Sequence, residues 1–375
     1  MTSNYRQHGR LQGHIGRLFC IVATDDGKYL ASGGHDGTRL WDLQRMSEIP
    51  GRPAITGTRG STTAITWASR DDDPGETLFY GTVHGHLVCW RQMGNQGFQE
   101  SYCRRIAQPS EISGLQFDSL SNRLAVCNRN AVIQLYMLSS SAPPEILFSV
   151  TVTNFDPRAL HFGAMRGNER ELLVFGSHDG KIRTFISSVD LNNQPENWEI
   201  GGCIGDADID SRRGTICIDD LASGVALYRL DDHHRVKLFP VPSKKEMRPR
   251  QVRFVDDSRS IVAGSDHGII YIFDRRSGDI VQKLKLDGED WAQTIATSDS
   301  NTMPTIFACK SGEHGSANDI IMWRKGPEGL PITTTIVGLI QLGLVLGTLG
   351  FAYQNKEILG GVVGEKLGWL KNRMS

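Results

Sequence analysis

An excess of charge of either sign is missing from this 375-residue chain: 41 Lys and Arg stand against 42 Asp and Glu, a formal net charge of −1. Without a basic surplus there is no electrostatic footprint for a polyanion, so nucleic acid is not an expected partner. Cysteine is sparse and scattered, with seven residues and no C-x-x-C pair, which leaves neither a metal-knuckle spacing nor a disulfide framework. Cys20, Cys89, Cys127, Cys217 and Cys309 fall in apolar runs that read as strands, where a reduced thiol is a small core residue. The odd count points to a reducing compartment. The opening residues MTSNYRQHGR lack an apolar core, and no N-x-Ser/Thr sequon occurs. Neither a secretory signal nor passage through the secretory lumen is therefore expected.

The patterns of catalysis are missing too. FGSHDGK (residues 175–181) has one residue too few between its glycines for a phosphate-binding loop, and Ile182 stands where a Ser or Thr should hold Mg²⁺. DADIDSRRGTIC (residues 206–217) begins with three alternating carboxylates, as a calcium loop does, but Ser211 and Cys217 replace the required Gly and Glu. It reads as a strand with one acidic, accessible face. His84 and His86 in one turn, and His233 and His234 in a connection, lack the further ligands zinc demands. No Ser/His/Asp elbow, H-E-x-x-H or Gly-rich dinucleotide loop is present. No catalytic residue, metal, cofactor or small-molecule substrate is expected.

What is present is a period. Seven segments each run from an apolar stretch, through a Gly/Asp/Asn/His turn, to a second apolar stretch closing on an aromatic: Trp41, Trp90, Tyr136, Phe185, Tyr228, Phe273 and Trp323. The spacings are 49, 46, 49, 43, 45 and 50 residues. Short alternating strands recurring every forty-odd residues describe a radially repeated four-stranded blade. The fold class is therefore all-β, a seven-bladed β-propeller of four-stranded antiparallel blades, over residues 1–325. Outer strands are expected at PAIT, YCRRIA, ILFSVTV, WEIGG, VKLFPV and IVQKLKL, six for seven blades. The seventh is assigned to residues 5–11, so that both chain ends build one blade and no long edge is left bare.

The stretch GHIGRLFCIVATDDGKYLASGGHDGTRLWD, residues 13–42, resembles one complete repeat of the WD-repeat β-propeller family. The resemblance implies a structural tetrad, hydrogen-bonded inside the blade, of His14, Ser32, Asp36 and Trp41. The sixth unit keeps Ser265, Asp266, Gly268, Phe273 and Asp274, and the fourth keeps HDG at residues 178–180. Segments such as NRLAVCNRN, DRRSGD and PTIFA are similar to a group of fungal WD-repeat-like proteins, which implies no activity.

Composition changes after Lys325. A linker, residues 326–329, leads into residues 330–353, which carry no charge and at 1.5 Å per residue would reach about 36 Å as a helix, enough to cross a bilayer. Gly343, Gly347 and Gly350 form a smooth stripe along it. Residues 354–375 make a short amphipathic tail. One C-terminal transmembrane helix is thus expected, in a single-pass, tail-anchored arrangement with a cytosolic propeller, at the endoplasmic reticulum ahead of the mitochondrial outer membrane.

Propellers of the resembled family dock partners on their narrower face, beside the starts of the innermost strands. The positions implied are Arg17, Glu111, Asp156, Arg158, Asp206, Arg248, Arg250, Asp290 and Trp291. Arg and Trp supply much of the energy of protein contacts, so a protein or peptide partner is expected there. Basic pairs at 104–105, 212–213, 244–245 and 275–276 are dispersed over different blades and read as solvated. The functional expectation is a non-catalytic protein-interaction scaffold held at a membrane. An alternative is a membrane-anchored exchange factor or other regulator of a small GTPase, because an exchange factor of the endoplasmic reticulum that starts COPII coat assembly is similar in layout. An enzyme with a site in the central channel is the third reading.

Overall fold

Alternation of apolar and polar side chains makes each half-buried segment a strand, and the turn residues fold successive strands back on one another. The computed structural model describes residues 4–50, 56–73, 75–94, 97–166, 169–186, 196–243, 248–299, 303–312 and 315–326. The chain opens with β1 (Tyr5–Ile15), β2 (Leu18–Ala23), β3 (Tyr29–Gly34), β4 (Gly37–Asp42) and β5 (Ser47–Ile49). Strands β2 to β5 form blade 1, an antiparallel meander in chain order. Blades 2 to 6 repeat it, with innermost strands Thr62–Trp67, Ile112–Asp118, Pro157–Arg166, Ile204–Asp210 and Val252–Val255.

Blade 7 is built from both ends. Thr294–Ser298, Thr305–Cys309 and Ala317–Lys325 are its first three strands, and β1 is the fourth, with Tyr5 opposite Lys325 and Leu11 opposite Ile320. Each innermost strand packs beside the innermost strands of both neighbouring blades, β2 meeting Thr294–Ser298, so seven blades close a ring. Tyr5–Lys325 is one compact unit. Of the residues outside it, Asn4 and Gly326 are described, and the Gly326 N–H donates to the Asn4 carbonyl at 3.2 Å.

The core is divided into seven layers, each sandwiched between two blades. Blades 1 and 2, for example, share Leu40, Trp67, Leu78, Tyr80 and Trp90, and blades 5 and 6 share Leu227, Phe239, Phe254, Ile261 and Phe273. Six of the seven closing aromatics are buried and Phe185 partly so. In blades 2, 3, 5 and 6 the pairing with the outermost strand slips immediately before the aromatic. Such a bulge sharpens the local twist. The turn glycines of the HDG and DHG signatures are conformationally required. Gly180 and Gly268 have φ of +63° and +73°, and a Cβ there would stand 2.3 Å and 2.4 Å from the carbonyl oxygens of Gly202 and Gly288.

Three expectations are corrected. The outer strand of blade 1 is Ser47–Ile49, not PAIT, whose first residues lie outside the described ones; Thr56–Arg59 is instead a short helix. The outer strand of blade 4 is Glu196–Glu199, earlier than WEIGG, and the innermost strand of blade 7 begins at Thr294 rather than Trp291. An outermost strand needs no apolar face, and Ser47 and Glu48 are exposed, so hydrophobic alternation carries no signal for it. The expected linker, transmembrane helix and tail, residues 326–375, fall outside the described residues apart from Gly326. Among the described residues no helix is long and apolar enough to cross a membrane.

Candidate functional site

Innermost strands begin on one face of the ring, termed the upper face, which also carries the turns between second and third strands. The lower face carries the turns joining first to second and third to fourth strands.

Beneath the upper face of blade 1, His14, Ser32, Asp36 and Trp41 form a continuous chain. The Trp41 indole N–H can only donate, and it reaches Ser32 Oγ at 2.7 Å. Ser32 then gives its own hydrogen to His14 Nε2 at 2.7 Å, which leaves the His14 Nδ1–H for Asp36 Oδ1, also at 2.7 Å. Asp36 Oδ2 accepts the Ile15 N–H at 3.0 Å and two Arg39 nitrogens at 3.3 Å and 3.2 Å. Partial burial works to raise the Asp36 pKa, but the hydrogen bonds from His14 and the Ile15 N–H, with the Arg39 charge, outweigh it and hold the carboxyl at about 2. The chain ties β1, the last strand of blade 7, to β3 and β4 of blade 1.

The nine upper-face positions divide into two groups. Arg17, Arg248 and Asp290 are exposed, and Glu111, Asp156 and Trp291 partly so. Arg248 lies over the Trp291 ring at 5.4 Å, while Asp290 pairs with Lys310 at 3.4 Å. The Trp291 indole N–H is buried without a hydrogen-bond partner among the described residues. Glu111 and Asp156 flank Arg129, at 3.7 Å and 3.0 Å.

Asp206, Arg250 and Arg158 are turned into the structure instead. Asp206 is 8% exposed; its Oδ2 accepts the Val252 N–H at 3.1 Å and pairs with Arg253. Arg250, 6% exposed, grips the fully buried Asp219 through its backbone N–H and its Nε, both at 2.8 Å. Burial pushes the Asp219 carboxyl up to about 6 against the opposing pull of Arg250. Arg158 donates from Nε to the Gly205 carbonyl at 2.8 Å, and burial pushes its pKa down.

These contacts belong to a wider device. Innermost strands lack a ladder partner on their channel side, and side chains of a neighbouring blade satisfy them. His161 Nε2–H donates to the Ala207 carbonyl at 2.7 Å, Asp208 Oδ2 accepts the Phe254 N–H at 2.8 Å, and Thr63 Oγ1 donates to the Ile112 carbonyl at 2.7 Å. Blade 7 does the same in both directions: Thr297 to the Phe254 carbonyl at 2.9 Å and Thr294 to that of Leu18 at 3.2 Å. The acidic face of DADID is therefore not an accessible one. Asp206 and Asp208 staple blade 5 to blade 6, and Asp210, 7% exposed, holds Arg213 and Arg275 at 3.2 Å and 3.1 Å.

A feature that sequence reasoning missed lies on the lower face, where a groove of about 1100 Å³ runs across blade 5, walled by blade 4 on one side and blade 6 on the other. The 212–213 and 275–276 basic pairs, which read as dispersed, converge there: Arg213, Arg275 and Arg276 all line it. Their position after the first strand of blade 5 and the third of blade 6 was the available signal, because those ends share a face. Among the described residues no group of three or more His, Cys, Asp or Glu is placed to hold a metal.

Comparison with known proteins bears on the first blade and the repeat. The model of the WD domain, G-beta repeat family matches residues 5–42, which are β1 and β2 to β4. An aligned stretch of 120 residues is 28% identical to WD repeat-containing protein 18 of Bos taurus. It spans 28% of this chain and 28% of that protein's length. The chain thus carries a WD repeat within a seven-bladed propeller, an architecture suited to protein interaction.

Proposed function

We propose that the chain is a non-catalytic protein-interaction scaffold whose propeller receives a protein or peptide on its upper face, and which residues 330–353 tether to a membrane. The observation that carries the docking reading is Arg248 lying over Trp291 beside the exposed Asp290. Arg and Trp are the residues that most often dominate binding energy, and the two stacked side chains offer a partner one cationic and aromatic surface. The uncharged run supports the tether, because a helix hides its backbone polar groups and these side chains offer lipid no charge. The cytosolic side and the endoplasmic reticulum are the proposed setting. The GTPase-regulator reading rests on layout, and nucleotide release from candidate GTPases separates it from a scaffold.

Proximity labelling in cells tests both halves with three forms: the full chain, Arg248→Ala/Trp291→Ala, and Leu344→Arg/Val345→Arg. The first double substitution should lose specific protein neighbours while keeping membrane ones. The second places two charges near the bilayer centre, at about 2.5–3.5 kcal/mol each, and should make the chain soluble. Identical neighbours for all three would sink the proposal, as would alkaline carbonate extraction of the wild-type chain.

A further inference from the structure

The lower-face groove across blade 5, with blades 4 and 6 as its walls, lies at the opposite end of the strands from the upper-face residues. We infer that it docks an acidic segment of a partner protein, anchored by an apolar side chain. At about 1100 Å³ it is larger than the ~300–1,000 Å³ typical of sites for drug-sized molecules. A stretch of polypeptide suits it better than a metabolite.

Charge sets the chemistry of the occupant. Six cationic side chains line the groove against three anionic ones. Four of the six are engaged within the fold. Arg213 and Arg275 share Asp210, Arg229 pairs with Asp232, and Lys237 donates to the Arg276 and Ser277 carbonyls at 2.6 Å and 3.0 Å. Arg259 and Arg276 are both exposed, and neither guanidinium makes a hydrogen bond or ion pair among the described residues, Arg259 acting on Asp257 only through its charge. Each can take a carboxylate in a bidentate grip. An acidic segment is drawn to this balance and a basic one repelled.

Apolar surface stands beside these cations. Met165 and Val236 are 55% and 50% exposed at the groove, with Leu230 partly exposed between blade 5's outer strands. The adjoining blade 6 turn is already set: Asp256, Asp257 and Ser258 all have positive φ, and the two carboxylate oxygens of Asp299 accept the Asp256 and Asp257 N–H groups at 2.8 Å each. Arg212 and Arg213 brace the same turn through Asp257, at 2.9 Å and 2.8 Å. A wall fixed in advance spares the ordering cost of binding.

The test is selection of a phage-displayed random peptide library on the full chain, followed by affinity measurement with the synthesised peptides. Enriched peptides should combine Asp or Glu with a large apolar residue and weaken as salt rises. They should lose about tenfold or more in affinity for Arg259→Glu/Arg276→Glu, about 1.4 kcal/mol, yet bind Trp291→Ala as they bind wild type. Both substituted positions are exposed, and unchanged melting of the double variant checks its fold. No enrichment, enrichment without acidic residues, or binding indifferent to the Arg259/Arg276 substitutions would overturn the inference. Loss in Trp291→Ala instead would place the peptides on the upper face. Binding of phosphatidylserine vesicles in place of peptides, abolished by the same double substitution, would overturn it in favour of a lipid surface.

Discussion

Replacing Asp36 by Ala removes the last acceptor of the Trp41–Ser32–His14 chain. His14 is 1% exposed, so its Nδ1–H would be left with no water to turn to. An unsatisfied buried donor costs about 1–3 kcal/mol. A second route gives a similar figure: a carboxyl held at about 2 when folded, against an ordinary 3.8, contributes about 2 kcal/mol at neutral pH. The Arg39 contact is partly exposed and adds little. Because the folded pKa is depressed, this stability is complete above the ordinary carboxylate value and disappears as pH falls from about 4 to about 2. Urea unfolding followed by tryptophan fluorescence should therefore show Asp36→Ala destabilised by about 1–3 kcal/mol at pH 7, the difference closing towards pH 2. Asp36→Asn, which retains an acceptor for the His14 N–H, should lose less. An unchanged midpoint and slope for Asp36→Ala at pH 7 would refute the reasoning.

Two further outcomes follow from blade contacts. Gln282 on the outer strand of blade 6 accepts the Tyr5 N–H at 2.8 Å and donates to the Tyr5 carbonyl at 2.7 Å; Gln282→Ala should cost about 1–2 kcal/mol and speed amide exchange in residues 5–11, and unchanged exchange there would count against the clasp. Asp219 titrates with the opposite sign to Asp36, since its folded pKa is raised to about 6 and the folded chain binds the proton more tightly. Its contribution makes stability fall as pH rises from about 4 through about 6, so Asp219→Asn should remove that slope, and a slope unaltered by the substitution would contradict it.

Hydrophobic period and turn chemistry determined the ring. The closing aromatics from Trp41 to Trp323 recur because each blade must bury one third strand between its neighbours, and burial imprints an apolar signature on the chain. The same logic made the closure by β1 legible, because six outer strands for seven blades left one to find. The hydrogen-bonded chain of His14, Ser32, Asp36 and Trp41 was anticipated through resemblance, and it joins β1 of blade 7 to β3 and β4 of blade 1. Outer strands were less legible: in Ser47–Ile49 the first two residues are exposed and the strand pairs through its backbone, which any side chain permits. The fate of charged residues was decided by tertiary structure. Asp206, Asp208 and Asp210 alternate like an accessible acidic face, yet the neighbouring innermost strand needs acceptors for its N–H groups and ring closure delivers Asp206 and Asp208 to it, while Asp210 is taken up by Arg213 and Arg275. Arg213 and Arg276 meet across one groove for the same reason: a turn's face depends on which strands it joins, and its neighbours on the blade beside it. Sequence alone could specify what must be buried, whereas the closed ring decided which polar groups are engaged within the fold and which are left for a partner.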